Sequence, residues 1–264
     1  MQKTLLIFQK EWLELRQQRG LLLSALFLPA LLTLLPVVMI TGARFLPQQQ
    51  QDLDELGGLI AANTTLQGMS LPELGQAVAG LIGSSIFTLT PLLLPSILAA
   101  YSIVGEKANR TLEPILASPI KTWELLLGKS LASIAPSVVI TWGCAVFFAI
   151  AVRTVALSPR VAQAIISPGW VALIVLCTPL MALITTAGMI IISSRVNDPR
   201  TAQQYSAVGV LPLMLLVFGQ LGGLLVLNVG VALLAALALA LLAALVTWLA
   251  VQLFQREVIL TRWR

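Results

Sequence analysis

Long apolar stretches, separated by short charged segments, run along most of this chain. Five stretches contain no Asp, Glu, Lys or Arg, and they cover about residues 21–43, 80–104, 130–152, 170–194 and 206–254. About 20 apolar residues of helix cross the hydrocarbon core of a bilayer. Each of the first four stretches is therefore long enough for one crossing, and the last for two. The pattern predicts an all-α membrane protein with six transmembrane helices.

A separate amphipathic helix is predicted ahead of the first crossing. Leu5, Phe8, Trp12 and Leu15 follow helical spacing, with charged and amide residues between them. Such a helix is expected to lie in the cytoplasmic membrane interface. A plain helical extension of the first crossing is the alternative.

The remaining boundaries follow from charged segments and capping residues. Ser70 and Glu73 have the spacing of a capping box, so the second helix is expected to begin outside the lipid. Asn228 with Gly230, or Gln220 with the glycines that follow it, provides the break in the last stretch. One domain then spans 1–264, and its predicted elements are an interfacial helix 1–20, TM1 21–43, an external loop 44–79, TM2 80–104, a cytoplasmic coupling region 105–129, TM3 130–152, TM4 170–192, TM5 205–226 and TM6 230–254.

Basic residues are distributed unequally between the two predicted sides. With the N-terminus in the cytoplasm, thirteen Lys and Arg residues fall inside and three fall outside. Cytoplasmic segments of membrane proteins carry such an excess. The basic composition therefore reflects topology and not nucleic-acid binding. We expect a multi-pass protein of the plasma (inner) membrane with both termini in the cytoplasm.

Composition excludes most catalytic chemistry. The chain is 58% hydrophobic and 10% charged, so no separate soluble catalytic domain fits. It has no histidine, which argues against zinc hydrolysis, Ser-His catalysis and haem ligation by imidazole. Cys144 and Cys177 lie inside apolar stretches and are expected to be small buried residues. We predict no catalytic residues, no metal site and no cofactor bound by this chain.

Scattered polar side chains within the predicted spans are candidates for a transport pathway. Ser84, Thr88 and Ser96 are predicted to share one face of TM2, and Gln220 lies deep in the last apolar stretch. These residues could line a conduit. The alternative is that the hydroxyls bond their own backbone or hold helices together.

The predicted cytoplasmic segment between TM2 and TM3 carries the most specific pattern. Thr111 can cap a short helix in which Pro114 occupies the first turn, where its missing N–H costs nothing. Glu113 in that turn complements the helix dipole. A short helix of this kind can dock into the groove of a soluble partner, although a structured loop on the headgroups fits the pattern too. The predicted docking residues are Thr111, Leu112, Glu113, Pro114, Ile115 and Leu116.

The same segment closely resembles the permeases of ABC-2 type transporters. Lys10-Glu11-Trp12 near the start of the chain and the run 199–204 also look like that family, and the likeness spans the whole chain. Arg110 stands where the family often has Gly. The matching residues in the segment are Glu106-Lys107, Arg110 through Ile120, and Trp123-Glu124-Leu125-Leu126-Leu127-Gly128-Lys129.

The resemblance implies that helix 111–116 is a coupling helix that docks on a separate ATP-binding cassette ATPase, which holds ATP and Mg. Gly128-Lys129-Ser130 looks like the end of a phosphate loop, but Trp123 and three leucines replace that loop's glycine and flexible residues. The family also implies a homodimer or a heterodimer with a second permease.

We therefore expect a non-enzymatic permease subunit, with export of a hydrophobic or amphipathic substrate. The spans lack the charged residues that ion-coupled transporters keep in the bilayer. An ATP-independent secondary transporter or channel, a membrane scaffold subunit and an intramembrane enzyme are the alternatives.

Overall fold

The computed structural model describes residues 2–17, 19–45, 64–108, 122–193 and 228–253, together with Gln204. These residues form α-helices and one 3-10 turn, Thr64–Leu66, and contain no β-strand. The predicted all-α class is therefore confirmed for this part of the chain. The helices are α1 Gln2–Gln17, α2 Arg19–Gly42, α3 Leu71–Phe87, α4 Thr90–Ala108, α5 Thr122–Val155, α6 Pro159–Ile165, α7 Pro168–Ser193 and α8 Val229–Leu253.

Five helical segments among the described residues are long and apolar enough to cross a membrane. They correspond to the predicted TM1, TM2, TM3, TM4 and TM6. The predicted TM5, at 205–226, lies outside the described residues, so six crossings remain a prediction. The segments are Ala25–Gly42, Leu71–Ala100, Glu124–Val155, Pro159–Ile192 and Val229–Leu253.

The second crossing begins with the predicted cap and then breaks, which the sequence pattern did not anticipate. The Glu73 carboxylate accepts hydrogen bonds from the backbone N–H and the hydroxyl of Ser70, at 2.9 and 2.8 Å. The helix is interrupted at Thr88 and Leu89, between α3 and α4. Pro91 explains the break, because it has no N–H to donate and its ring disfavours helical geometry at the preceding residue.

Close packing of α3 against its neighbours depends on two glycines. A Cβ at Gly83 would lie 2.6 Å from the Cβ of Pro36 in α2. A Cβ at Gly80 would overlap the side chain of Ile165 in α6. Small residues let membrane helices approach closely, so these positions set how α3 crosses α2 and α6.

An aromatic cluster lies where α3, α5 and α7 meet. The ring centroids of Phe87, Phe148 and Trp170 lie 5.6 to 5.9 Å apart, and the three side chains are buried. Offset and tilted ring pairs of this kind add to the stabilisation from burial. Among the helices that the structure describes, α7 and α8 share the most extensive contact. The exposed leucines of α8 lie opposite that contact and suit a lipid environment.

Candidate functional site

The predicted docking helix, with Thr111, Leu112, Glu113, Pro114, Ile115 and Leu116, lies outside the described residues. Its role remains a prediction. The structure does describe the two helices on either side of it, because α4 ends at Ala108 and α5 begins at Thr122. The last residues of α4, 105–108, and the first turns of α5 are therefore the described parts of the predicted coupling region.

Helix α1 packs against these first turns of α5. A Cβ added at Gly128 would lie 2.8 Å from the Ile7 side chain and 3.1 Å from the carbonyl oxygen of Thr4. Ile7 is buried, as is Leu15, which joins a cluster with Ala25 of α2 and with α4. Only a glycine at position 128 permits this approach. One face of α1 thus packs against other helices of the protein.

A buried ion pair joins the two helices one residue further along α5. The Nζ atom of Lys129 lies 2.7 Å from Oε1 of Glu11, and both side chains are 4% exposed. Charge-assisted hydrogen bonds of this length are about twice as strong as neutral ones. Lys10 also approaches Glu11, at 3.5 Å, and it forms an exposed pair with Glu14 at 3.1 Å.

The pairing explains two motifs that sequence reasoning treated separately. Lys10-Glu11-Trp12 and Gly128-Lys129 were each part of the family resemblance, but no contact between them was predicted. In the structure, Gly128 receives Ile7, and Lys129 neutralises Glu11. The opposite charges of the two motifs were the available signal. The glycine-lysine pair that resembles a phosphate loop has a role in helix contact.

The interfacial placement predicted for α1 is not confirmed. The predicted apolar residues divide between two faces, because Leu15 is buried in the bundle while Leu5 and Trp12 are exposed. Leu6 and Leu13 are exposed as well. The protein-facing side includes Glu11, a carboxylate that amphipathic patterning would place in water.

At the opposite end of α5, one amide holds three chain segments together. Gln76 of α3 is fully buried, and its Nε2 donates to the carbonyl oxygens of Ile40 and Val155 at 3.1 and 3.2 Å. Its Oε1 accepts from the N–H of Leu157 at 2.8 Å. Ile40 and Val155 belong to the last turns of α2 and α5, where carbonyls lack helical partners. Sequence reasoning missed Gln76.

The three described pathway candidates are buried and bond to their own backbone. The hydroxyls of Ser84, Thr88 and Ser96 donate to the carbonyls of residues 81, 84 and 93, at 2.9, 3.0 and 2.7 Å. The break before α4 places Ser96 on a different helix from Ser84, so the continuous helix on which a shared face was predicted is interrupted. A pathway role for these three stays a prediction, and Gln220 lies outside the described residues.

Further buried hydroxyls lie on α5 and α7. Within the described part of the chain, the oxygens of Thr141, Thr178 and Thr186 have no hydrogen-bond partner, and each side chain is at most 1% exposed. A cavity of about 370 Å³ opens elsewhere, beside the Val155 end of α5, and Arg153, Ser158 and Gln163 contribute to its lining. Ser84, Thr88 and Ser96 are not among its described lining residues.

These features define a multi-pass helical membrane protein whose third described span is anchored at both ends. The chain belongs to the family described as ABC-2 family transporter protein, which matches residues 5–235. The match includes most of α1, the predicted docking segment and the first turns of α8. The chain is thus a transport permease of the membrane. A comparison with curated proteins finds no match.

Proposed function

We propose that this chain is the membrane subunit of an ATP-binding cassette exporter, and that a separate ATPase subunit drives it. The family match over residues 5–235 carries the proposal. The arrangement of α4 and α5 supports it, because both helices lead directly into segment 109–121, which carries the predicted docking helix. Force applied to that segment would act on the second and third crossings.

The buried charges favour ATP-driven transport over ion-coupled transport. Among the described residues, Glu11 and Lys129 are the charged side chains that are buried, and they pair with each other. Ion-coupled transporters usually keep ionisable groups along the substrate path. Here, the two charges join helices at one end of a span, so the energy for transport comes from a partner subunit.

The proposed substrate is hydrophobic or amphipathic, moved outward across the inner membrane. The described spans present leucine, valine and phenylalanine with scattered hydroxyls. We place Ser84, Thr88, Ser96 and Gln220 along the path, which two permease copies, or this chain and a related permease, would enclose. A twofold arrangement of identical chains is the simplest closed assembly.

Docking by the segment 111–116 can be tested with purified components. The chain is co-expressed with an ATP-binding cassette subunit and purified in lipid nanodiscs, and association and ATP hydrolysis are measured. Glu113→Lys and Leu116→Asp are expected to abolish association or the effect of the permease on hydrolysis, since each places an unfavourable charge in the docking face. Glu14→Lys on α1 is the matched control.

The control tests charge reversal at an exposed position, because the Glu14 side chain is 46% exposed. It should leave association unchanged. If the Glu113 and Leu116 variants associate and hydrolyse ATP like the unmodified complex, segment 111–116 is not the docking element. If the unmodified chain does not associate with any such subunit, the proposed function is wrong.

A further inference from the structure

The ion pair between Glu11 and Lys129 lies close to where the proposed ATPase would act. Lys129 is seven residues after the start of α5, which corresponds to about 10 Å of helix. Glu11 is in a separate helix, 118 residues away in sequence. The pair is therefore a direct link between α1 and the end of α5 that receives the predicted docking segment.

Burial makes this link resistant to separation. Removing one partner of a buried pair leaves a charge without compensation, whereas replacing both with apolar residues is often neutral for stability. Such pairs are best known for defining the register between helices. The contact of Gly128 with Ile7 limits sliding on the adjacent turn. Displacing α5 without α1 would have to break both contacts.

The first turns of α5 also contact the other side of the bundle. Leu126 is buried against Ala187 and Ile190 of α7 and Ala250 of α8. On the α1 side, Leu15 packs with Ala25 and Leu98. A displacement at Thr122 would thus reach α7 and α8 through apolar contacts, and α1 through a charged one.

We propose that Glu11 and Lys129 form an ionic latch, a pair of positioning residues that makes α1 and the first turns of α5 move as one unit when the ATPase displaces segment 109–121. The inference rests on the proposed function. The latch does not touch the substrate. It sets the register in which movement at the docking segment is transmitted to α1.

The test compares four variants in the complex with the ATPase subunit, in lipid nanodiscs. Glu11→Gln and Lys129→Gln each break the latch. The double variant E11K/K129E reverses it, and the double variant E11L/K129M replaces it with apolar contact. Glu14→Gln is the control, since it removes a carboxylate from the exposed side of the same helix.

Three quantities are measured for each complex: the thermal midpoint, the ATPase rate relative to the ATPase subunit alone, and the distance between spin labels at positions 13 and 131. Leu13 and Leu131 are exposed, so labels there should not disturb the core. Cys144 and Cys177 are first replaced, because both are free thiols. Distances are compared without nucleotide and after trapping with ATP and vanadate.

In the unmodified complex the label distance should be the same in both states. Each single variant should broaden the distribution of label distances, abolish the permease-dependent ATPase rate and lower the thermal midpoint. E11K/K129E should restore all three. E11L/K129M should keep the thermal midpoint, but its label distance should broaden and its permease-dependent ATPase rate should be lost. A pair that only stabilised the fold would not produce this outcome. Glu14→Gln should match the unmodified complex.

The latch is wrong if the label distance changes on trapping in the unmodified complex. It is also wrong if the single variants lower only the thermal midpoint, or if E11L/K129M keeps both distance and rate. If E11L/K129M does not fold, Lys129→Arg takes its place, and loss of rate in that variant contradicts the latch. Failure of the unmodified chain to bind the ATPase overturns the proposed function and this inference together.

Discussion

The two ends of α5 are held by different chemistry. At the Thr122 end, the carboxylate of Glu11 in α1 and the ammonium group of Lys129 in α5 meet at 2.7 Å. At the Val155 end, the neutral amide of Gln76 distributes three hydrogen bonds over Ile40, Val155 and Leu157. One end is held by an ion pair, and the other is held by hydrogen bonds from a side-chain amide to backbone groups.

The difference suggests different roles: Gln76 stabilises helix ends, whereas the ion pair positions α1 against α5. Helix ends need partners for their last carbonyls, particularly near lipid, and Gln76 meets that need for α2 and α5. The ion pair instead joins two charged side chains on separate helices. Because an apolar pair would hold two helices together equally well, the charges at Glu11 and Lys129 are better explained by a requirement for register than by stability.

We expect the two ends of α5 to lie on opposite sides of the membrane, which gives an all-or-none difference in labelling. In a background without Cys144 and Cys177, single cysteines at positions 50 and 157 or 158 should react with an impermeant reagent added outside. Cysteines at 109 and 203 should react only after the membrane is opened, since thirteen basic residues favour that side. Leu157 is 41% exposed and is therefore a suitable site. External labelling at 109 would contradict the topology.

Breaking the ion pair should give the largest loss of stability. Lys129→Met removes the 2.7 Å partner of the buried Glu11 carboxylate and leaves it the 3.5 Å contact with Lys10, so the expected cost is about 3 kcal/mol. This loss of stability is measured by unfolding the protein in nanodiscs with heat or denaturant. The double variant E11L/K129M should recover most of the loss. Raising the salt concentration should change the unmodified protein little, because a buried pair is poorly screened.

Removing the amide at the other end should cost less and affect function differently. Gln76→Leu leaves carbonyls of Ile40 and Val155 without this donor, at an expected cost of about 1–3 kcal/mol. The ATPase rate per folded complex should stay unchanged, in contrast to the latch variants. Gln163→Leu, on the neighbouring α6, is the control. A selective loss of ATPase coupling in Gln76→Leu would mean that both ends transmit movement.

A single methyl group tests the close approach of α1 to α5. Gly128→Ala would place a Cβ 2.8 Å from Ile7 and should cost about 1 kcal/mol by overpacking. Gly143→Ala, on the same helix with open space around it, should be neutral or slightly stabilising. Adding Ile7→Ala to Gly128→Ala should relieve only part of the clash, because alanine removes the Cγ2 of residue 7 but keeps its Cβ, which also lies 2.8 Å away. Equal effects at 128 and 143 would show that α1 does not pack as described.

The hydroxyls of the predicted pathway should matter least for stability. Ser84→Ala and Ser96→Ala each remove a bond to the backbone of the same helix, and side-chain hydrogen bonds within membranes average about 0.6 kcal/mol. Transport of candidate hydrophobic substrates, normalised to folded complex, then tests the pathway role alone. Unchanged transport across such substrates would remove these residues from the path.

Sequence patterns predicted the helices well because local chemistry determines them. Apolar length located the described spans, and Ser70 with Glu73 located the start of α3. The break before Thr90 was missed, although Pro91 signalled it, because the apolar pattern continues across the interruption. The docking segment 111–116 and the predicted TM5 lie outside the described residues, so both remain predictions.

The sequence by itself determined that this chain crosses a membrane as apolar helices, because a segment in lipid must bond its own backbone polar groups. It also contained the motifs of an ABC-2 permease. Only the tertiary structure decided that Glu11 meets Lys129 and that Gln76 closes the ends of two helices. Those contacts join residues 118, 36 and 79 positions apart. Such pairings depend on which helices become neighbours, and no local periodicity encodes that choice.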